Sequence, residues 1–269
     1  WCVLGGQGGF LYQSNDWNAR NAVLRDLVLY DWPVAYENGN ALCYYFGFWL
    51  VPALAGKLCV VLGLGASAVW AAANIALLFW TMAGVLIALA LFLLIVKRSD
   101  SKTIIMAVLI FVFFSGMDIV GLLLTGNPSV IETRLCEKIH IEWWARFYQF
   151  SSFTTQLFWV FNQAIPAWLC TMLAWKQKNN RSIVVILACC MLPSTFGFVG
   201  LLFLVCFWMF TRRYENVQGK TKKERFVSYT KSWIKDTFTV QNILGGGVIG
   251  IFSFLYLSIN LSGNTVMEK

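Results

Sequence analysis

Charge is what this chain has least of. Only 13% of its 269 residues are Asp, Glu, Lys or Arg, roughly half of what a soluble domain carries. Residues 68–96 contain no charged side chain, and residues 103–125 contain one, Asp118. A helix needs ~20 apolar residues to cross ~30 Å of hydrocarbon. Two such runs, parted only by Lys97, Arg98, Ser99, Asp100, Ser101 and Lys102, exclude a soluble core as their explanation. Histidine is almost absent: His140 stands alone, and no HExxH or CxxC spacing is present, so a dedicated metal centre has little to be built from. The eight cysteines lie mostly inside apolar runs and read as small buried hydrophobes, not as a disulfide framework.

What is present points the same way. The chain is 58% hydrophobic, with 13 tryptophans suited to interfacial belts, and its net charge is +8. The excess of base could suggest nucleic acid. Yet fourteen of the 21 Lys and Arg residues fall in the loops 97–102, 176–181 and 212–235. Placing those loops inside satisfies the positive-inside rule without a nucleic-acid partner.

The expected architecture is all-α, a polytopic transmembrane helical bundle forming one membrane domain over 1–269. An outer loop over 1–64 carries interfacial or re-entrant helices. Membrane segments follow at 67–96, 103–125, 153–175, 182–194, 195–210 and 244–261. Residues 14–29 show a helical apolar stripe at Val23, Leu24, Leu27 and Val28, with Ser14 or Asn15 as cap and Pro33 as the break beyond it. The run 41–62 is interrupted by Gly47, Pro52, Gly56 and Lys57, which suits a segment that does not cross. Read as one span, 182–210 would put the basic stretch from Arg212 to Lys235 outside, so it is read as two short helices split at Leu192-Pro193-Ser194-Thr195. The Trp1 start in a Gly-rich stretch is read as that of a fragment lacking at least one N-terminal span. The Gly-rich stretches 5–9 and 245–247 lack the context of a phosphate loop.

Candidate chemistry lies among the surviving polar groups. Asp16 and Arg20 share a helix face four residues apart, with Arg25, Asp26 and Asp31 close behind. A carboxylate held ionised beside an Arg can accept a proton from a hydroxyl; the bland alternative is a solvated ion pair. In the second outer loop, His140-Ile141-Glu142-Trp143-Trp144 could grip a phosphate and a sugar hydroxyl, or bind a metal with help from elsewhere, or merely anchor the helix at the headgroups. Asp118 lines an outward cavity or ties two helices, since intramembrane acids are costly. Asn162 and Gln163, ahead of Pro166, read as groups that tie helices or satisfy freed backbone. The basic loop 212–235 faces anionic lipid.

Several runs carry a resemblance. They are Ser14-Asn15-Asp16-Trp17, Asn21-Ala22-Val23-Leu24-Arg25-Asp26-Leu27, Trp32-Pro33-Val34, Tyr44-Tyr45-Phe46-Gly47, Leu50-Val51-Pro52-Ala53-Leu54-Ala55-Gly56-Lys57, Phe114-Ser115-Gly116-Met117-Asp118 and Thr155-Gln156-Leu157-Phe158-Trp159. Together they resemble bacterial polytopic membrane proteins associated with the GT-C glycosyltransferases. The resemblance implies a multi-pass protein of the bacterial cytoplasmic (inner) membrane that uses a polyprenyl-phosphate sugar and acts at the outer face. It implies Asp16 as catalytic base. Arg20, Asp26, Asp118, His140, Glu142 and Arg146 would bind substrate, with either Arg20, or His140 and Arg146, on the lipid phosphate. A divalent metal is optional in this scheme, and no soluble partner is specified. The chain departs from the better-known pattern in having no DxD motif directly after a span. Two alternatives remain: a transporter or flippase of lipid-linked glycans, with Asp118, Asn162 and the break at Pro193 along its pathway, and a noncatalytic membrane scaffold subunit.

Overall fold

The computed structural model describes residues 1–37, 40–43, 45–97, 100–114, 116–125, 141–145, 151–212 and 219–263. Among these the secondary structure is helical, with no strand and one isolated bridge between Ala35 and Ala41. The helices are α1 (Trp17–Leu29), α2 (Leu50–Val61), α3 (Ala66–Val96), α4 (Ser101–Phe113), α5 (Asp118–Thr125), α6 (Phe153–Lys176), α7 (Ile183–Met191), α8 (Thr195–Thr211), α9 (Lys222–Thr237) and α10 (Val240–Gly263). By length and composition α3 can cross a membrane, as could α6 were its 24 residues one straight helix. The pair α4–α5, bent by 46°, and the pair α9–α10, bent by 63°, would bring the number to four if each counts as one span. Large apolar side chains such as Phe79, Leu86, Phe113, Leu124, Phe203 and Phe254 are exposed along these helices, a surface a bilayer would cover.

Local chemistry explains many helix ends. Asp100 caps α4, accepting from the Thr103 N–H at 3.0 Å and from its hydroxyl at 2.7 Å. These bonds hold the Asp100 carboxyl below its ordinary range. Ser152 caps α6 through the Thr155 N–H. α4 ends at Phe114, whose backbone is extended, and Gly116, with a φ of 66°, takes a left-handed step before α5, so the predicted 103–125 segment is bent. The α1 cap differs from expectation. Asp16 takes the position without a side-chain capping bond, because its carboxylate turns to Arg20, and the Ser14 hydroxyl is buried without a partner among the described residues. Residues 222–237, expected as loop, are helical behind a capping box of Thr221 and Glu224.

The 12-residue α2 is about 18 Å long, too short to cross ~30 Å of hydrocarbon. With α1 it packs on the N-terminal half of α3, where the Gly56 backbone lies against Val28 and Ala73. The 31 residues of α3 rise about 46 Å, well past the hydrocarbon thickness. The core joins Trp17 and Leu24 of α1, Trp49 just before α2, Ala73 and Leu77 of α3, and Phe161 and Ile165 of α6.

α6 is not straight. Val160 has φ −142° and ψ 33°, outside the helical region. The Phe153 and Trp168 rings are 5.0 Å apart, and the Trp168 Nε1–H donates to Gln156 Oε1 at 2.7 Å. Fifteen residues of unbroken helix would rise about 22 Å, so 153–159 folds back along 161–176. The fold is braced by a stack of Phe153 on Phe111 at 4.3 Å and by the Thr154 hydroxyl on the Val112 carbonyl. On its other side the fully buried Gln7 donates to the Leu157 carbonyl at 3.0 Å, beside the break.

α7 and α8 form a hairpin. Asn180, just before α7, donates to the Met209 carbonyl near the end of α8 at 3.4 Å. Arg212, just after α8, donates to the carbonyls of Gln177 and Asn179. The α9–α10 corner closes on this end. Asp236 accepts from the Asn180 N–H at 2.8 Å and from Arg181 Nε at 3.0 Å. Asn242 accepts from the Val184 N–H and donates to the Asn180 and Thr237 carbonyls. Gly245 lets α10 approach α7 closely, since a Cβ there would lie 2.8 Å from the Val185 backbone.

Candidate functional site

Four acids singled out in the sequence fall into three settings. Asp16 begins α1 with its side chain 56% exposed, and its carboxylate is 3.5 Å from Arg20. Arg20 is buried: its guanidinium lies 5.4 Å from the Trp17 ring centroid and 5.7 Å from that of Phe161. An aromatic slot of this kind favours a cation and holds the Arg20 charge beneath the Asp16 carboxylate. A phosphate approaching Arg20 would have to share it with Asp16.

Asp26 is buried and engaged on both oxygens. Arg25 donates twice to Oδ1, at 3.0 and 2.9 Å, and the Tyr36 hydroxyl donates to Oδ2 at 2.8 Å. Asp26 therefore clamps the chain after α1 back onto it. Burial, reinforced by the bond to Asp26, pushes the Tyr36 hydroxyl up to about 12. Lys57 completes this corner, donating to the Tyr30 carbonyl at 2.6 Å with its ammonium 5.6 Å from the Trp32 ring.

Asp118 and Glu142 meet through a short turn, Ile141–Ala145. The Trp144 indole donates to Asp118 Oδ1 at 3.0 Å, and Asp118 Oδ2 is buried without a partner among the described residues. Gly121 leaves the space in which the Trp144 ring lies. Glu142 accepts the Ser152 N–H at 3.1 Å, placing a carboxylate at the start of α6 where the helix dipole favours it. His140 and Arg146, expected to contact the lipid phosphate, lie outside the described residues, as does Cys136. The seven described cysteines are free thiols. Burial pushes the thiols of Cys2 and Cys43 above their ordinary range, which suits packing better than reactivity. Among the described residues no three His, Cys, Asp or Glu side chains gather as a metal would require.

A cavity that the sequence did not announce lies in the bend of α6. It measures about 410 Å³ and is lined by both arms of that helix and by the start of α8. Its polar lining includes Ser151, Thr155, Gln156, Gln163 and Ser194, with Trp159 beside them. Gln163, expected to tie helices, lines this space, while Gln7 is the amide that serves the backbone at the break. Asp16, Arg20, Asp26, Asp118 and Glu142 do not line it. The sequence signals were present singly, as a polar Gln163 in an apolar run and a Pro-Ser step before α8. Nothing local says that they meet, because a bend at a valine has no sequence signature.

No protein-family model, curated protein or solved structure matches this chain.

Proposed function

We propose that the protein is a GT-C-like glycosyltransferase of the bacterial cytoplasmic membrane. It moves a sugar from a polyprenyl-phosphate donor to a cell-envelope hydroxyl at the outer face. The observation that carries this reading is the position of Asp16. It is the exposed acid among Asp16, Asp26, Asp118 and Glu142, it begins a helix beside the overlong α3, and a buried cation underlies it. The Arg20 charge favours the ionised carboxylate. Asp16 then takes the proton of the acceptor hydroxyl as that oxygen attacks the anomeric carbon and the polyprenyl phosphate departs. Asp26 positions α1 for this step. His140 and Arg146 are assigned to the departing phosphate, and no metal is needed in any of these steps.

The test is Asp16→Asn, measured as sugar transfer from a polyprenyl-phosphate donor in reconstituted membranes. The variant should insert normally and lose transfer by about 10²-fold or more, the usual scale of a general base. Wild-type transfer by this variant would remove Asp16 from the mechanism.

A second reading, a transporter or flippase of lipid-linked glycans, is favoured by one observation: the broken α6 and the start of α8 border an open cleft that polar side chains help to line. It predicts that glycan translocation survives Asp16→Asn and fails when the cavity is filled.

A further inference from the structure

We infer that α9 is an interfacial foot: it lies on the headgroup layer of the membrane and binds anionic phospholipid. Seven of its 16 residues are charged, so it does not continue α10 through hydrocarbon. The two helices are bent by 63°. With α10 along the bilayer normal, α9 lies closer to the membrane plane than to that normal.

The helix is fastened at this level. The Trp233 indole donates to the Met209 carbonyl at 2.9 Å, and its ring stacks on Phe210 at 5.8 Å. The Tyr229 hydroxyl is 3.3 Å from the carbonyls of both Phe210 and Arg212. These contacts strap α9 across the end of α8. At the same end the Trp208 ring meets Trp175, near the end of α6, at 5.7 Å. Three indoles gathered where helices end suit headgroup depth.

The rest of the α9 surface has two sides. Val227 and Ile234, two turns apart, are exposed on one side, and the exposed Phe238 follows the last turn. Lys223 and Lys231 flank them there, one turn from Val227 in each direction. Arg225, Ser228 and Ser232 fall on the other side. Resting on a bilayer, the first side buries its apolar groups while its lysines reach the phosphates. The charge fits as well. Both acids of α9 are committed within the protein, Glu224 to the capping box and Asp236 to Asn180 and Arg181. Lys222, Lys223, Arg225, Lys231 and Lys235 are exposed and make no ion pair among the described residues. An anionic headgroup layer supplies the missing counter-charge.

The test compares the full chain in nanodiscs of phosphatidylcholine with the full chain in nanodiscs that also hold phosphatidylglycerol. Amide hydrogen exchange over 222–237 should slow about 3- to 10-fold with the anionic lipid, the scale of roughly one basic side chain held at such a surface. Exchange of α8 should not change, and high salt should remove the difference. Lys223→Gln combined with Lys231→Gln should abolish most of the slowing, whereas Asp16→Asn should leave it intact, which separates this surface from the catalytic proposal. A photo-reactive p-benzoylphenylalanine at Val227 should crosslink to lipid, and one at Ser232 should not. Equal exchange in the two nanodiscs, undiminished slowing in the double variant, or lipid crosslinking at Ser232 as strong as at Val227 overturns the inference. So does an oligonucleotide that slows α9 in neutral nanodiscs as much as phosphatidylglycerol does, since the face would then read soluble polyanions. The comparison of lipids needs no variant, so a misfolded substitution does not leave the question open.

Discussion

Two ends of this molecule use polar side chains in opposite ways. Where α7, α8, α9 and α10 meet, Asn180, Asp236 and Asn242 are buried and bonded to backbone, and their bonds tie α9 and α10 to the turn before α7 and to each other. At the start of α1, Asp16 remains half in solvent and its bonding partner is its own helix neighbour. Buried polar groups that satisfy one another fix geometry, and removing one leaves others stranded. An exposed acid over a buried cation contributes little to stability and stays free for chemistry. That contrast separates residues that hold the chain together from the residue proposed to act.

Breaking the buried end should cost most. Asp236→Ala strands the Asn180 N–H and frees Arg181, at about 2–4 kcal/mol, seen as a lower melting temperature in detergent. Gln7→Leu should follow at about 1–3 kcal/mol, since the Leu157 carbonyl beside the break loses its donor. A smaller change is expected from Tyr36→Phe, about 0.5–1.5 kcal/mol, the worth of one hydrogen bond. The same bond has a pH signature. The folded hydroxyl titrates at about 12, above its ordinary value of 10.0. Its stabilising contribution is therefore whole below pH 10 and is lost as pH rises towards 12. Tyrosinate absorbance should show a late-titrating component that is lost in Tyr36→Phe and moves down in Asp26→Asn. Least of all, Asp16→Asn should change stability by under ~0.5 kcal/mol, as half-exposed ion pairs do. A large loss there would erase the contrast and make Asp16 one more structural tie.

Particular residues show where local reading succeeds. The Pro193-Ser194 step separates α7 from α8 because proline cannot continue a helix ladder, and short-range chemistry suffices to see it. The Thr221 to Glu224 spacing was equally legible as a capping box, yet the charge density of 212–235 masked it as a loop. The Asp16–Arg20 pair follows from helical period alone. Asp26 was legible as a candidate but not as a clamp, because Tyr36 returns to it only after the turn beyond α1.

An apolar run long enough for a bilayer and a period that makes it helical are properties of neighbouring residues, so the order of letters was enough to establish a helical chain with membrane-length segments. The bend of α6 is of another kind. Val160 is neither glycine nor proline, and its backbone leaves the helix where Gln7, Phe111 and Trp168 engage the flanking turns from far along the chain or from the opposite arm. Contacts over such distances are created by packing and are invisible to local periodicity. The cleft that Ser194 and Gln163 both line exists only once that packing is complete.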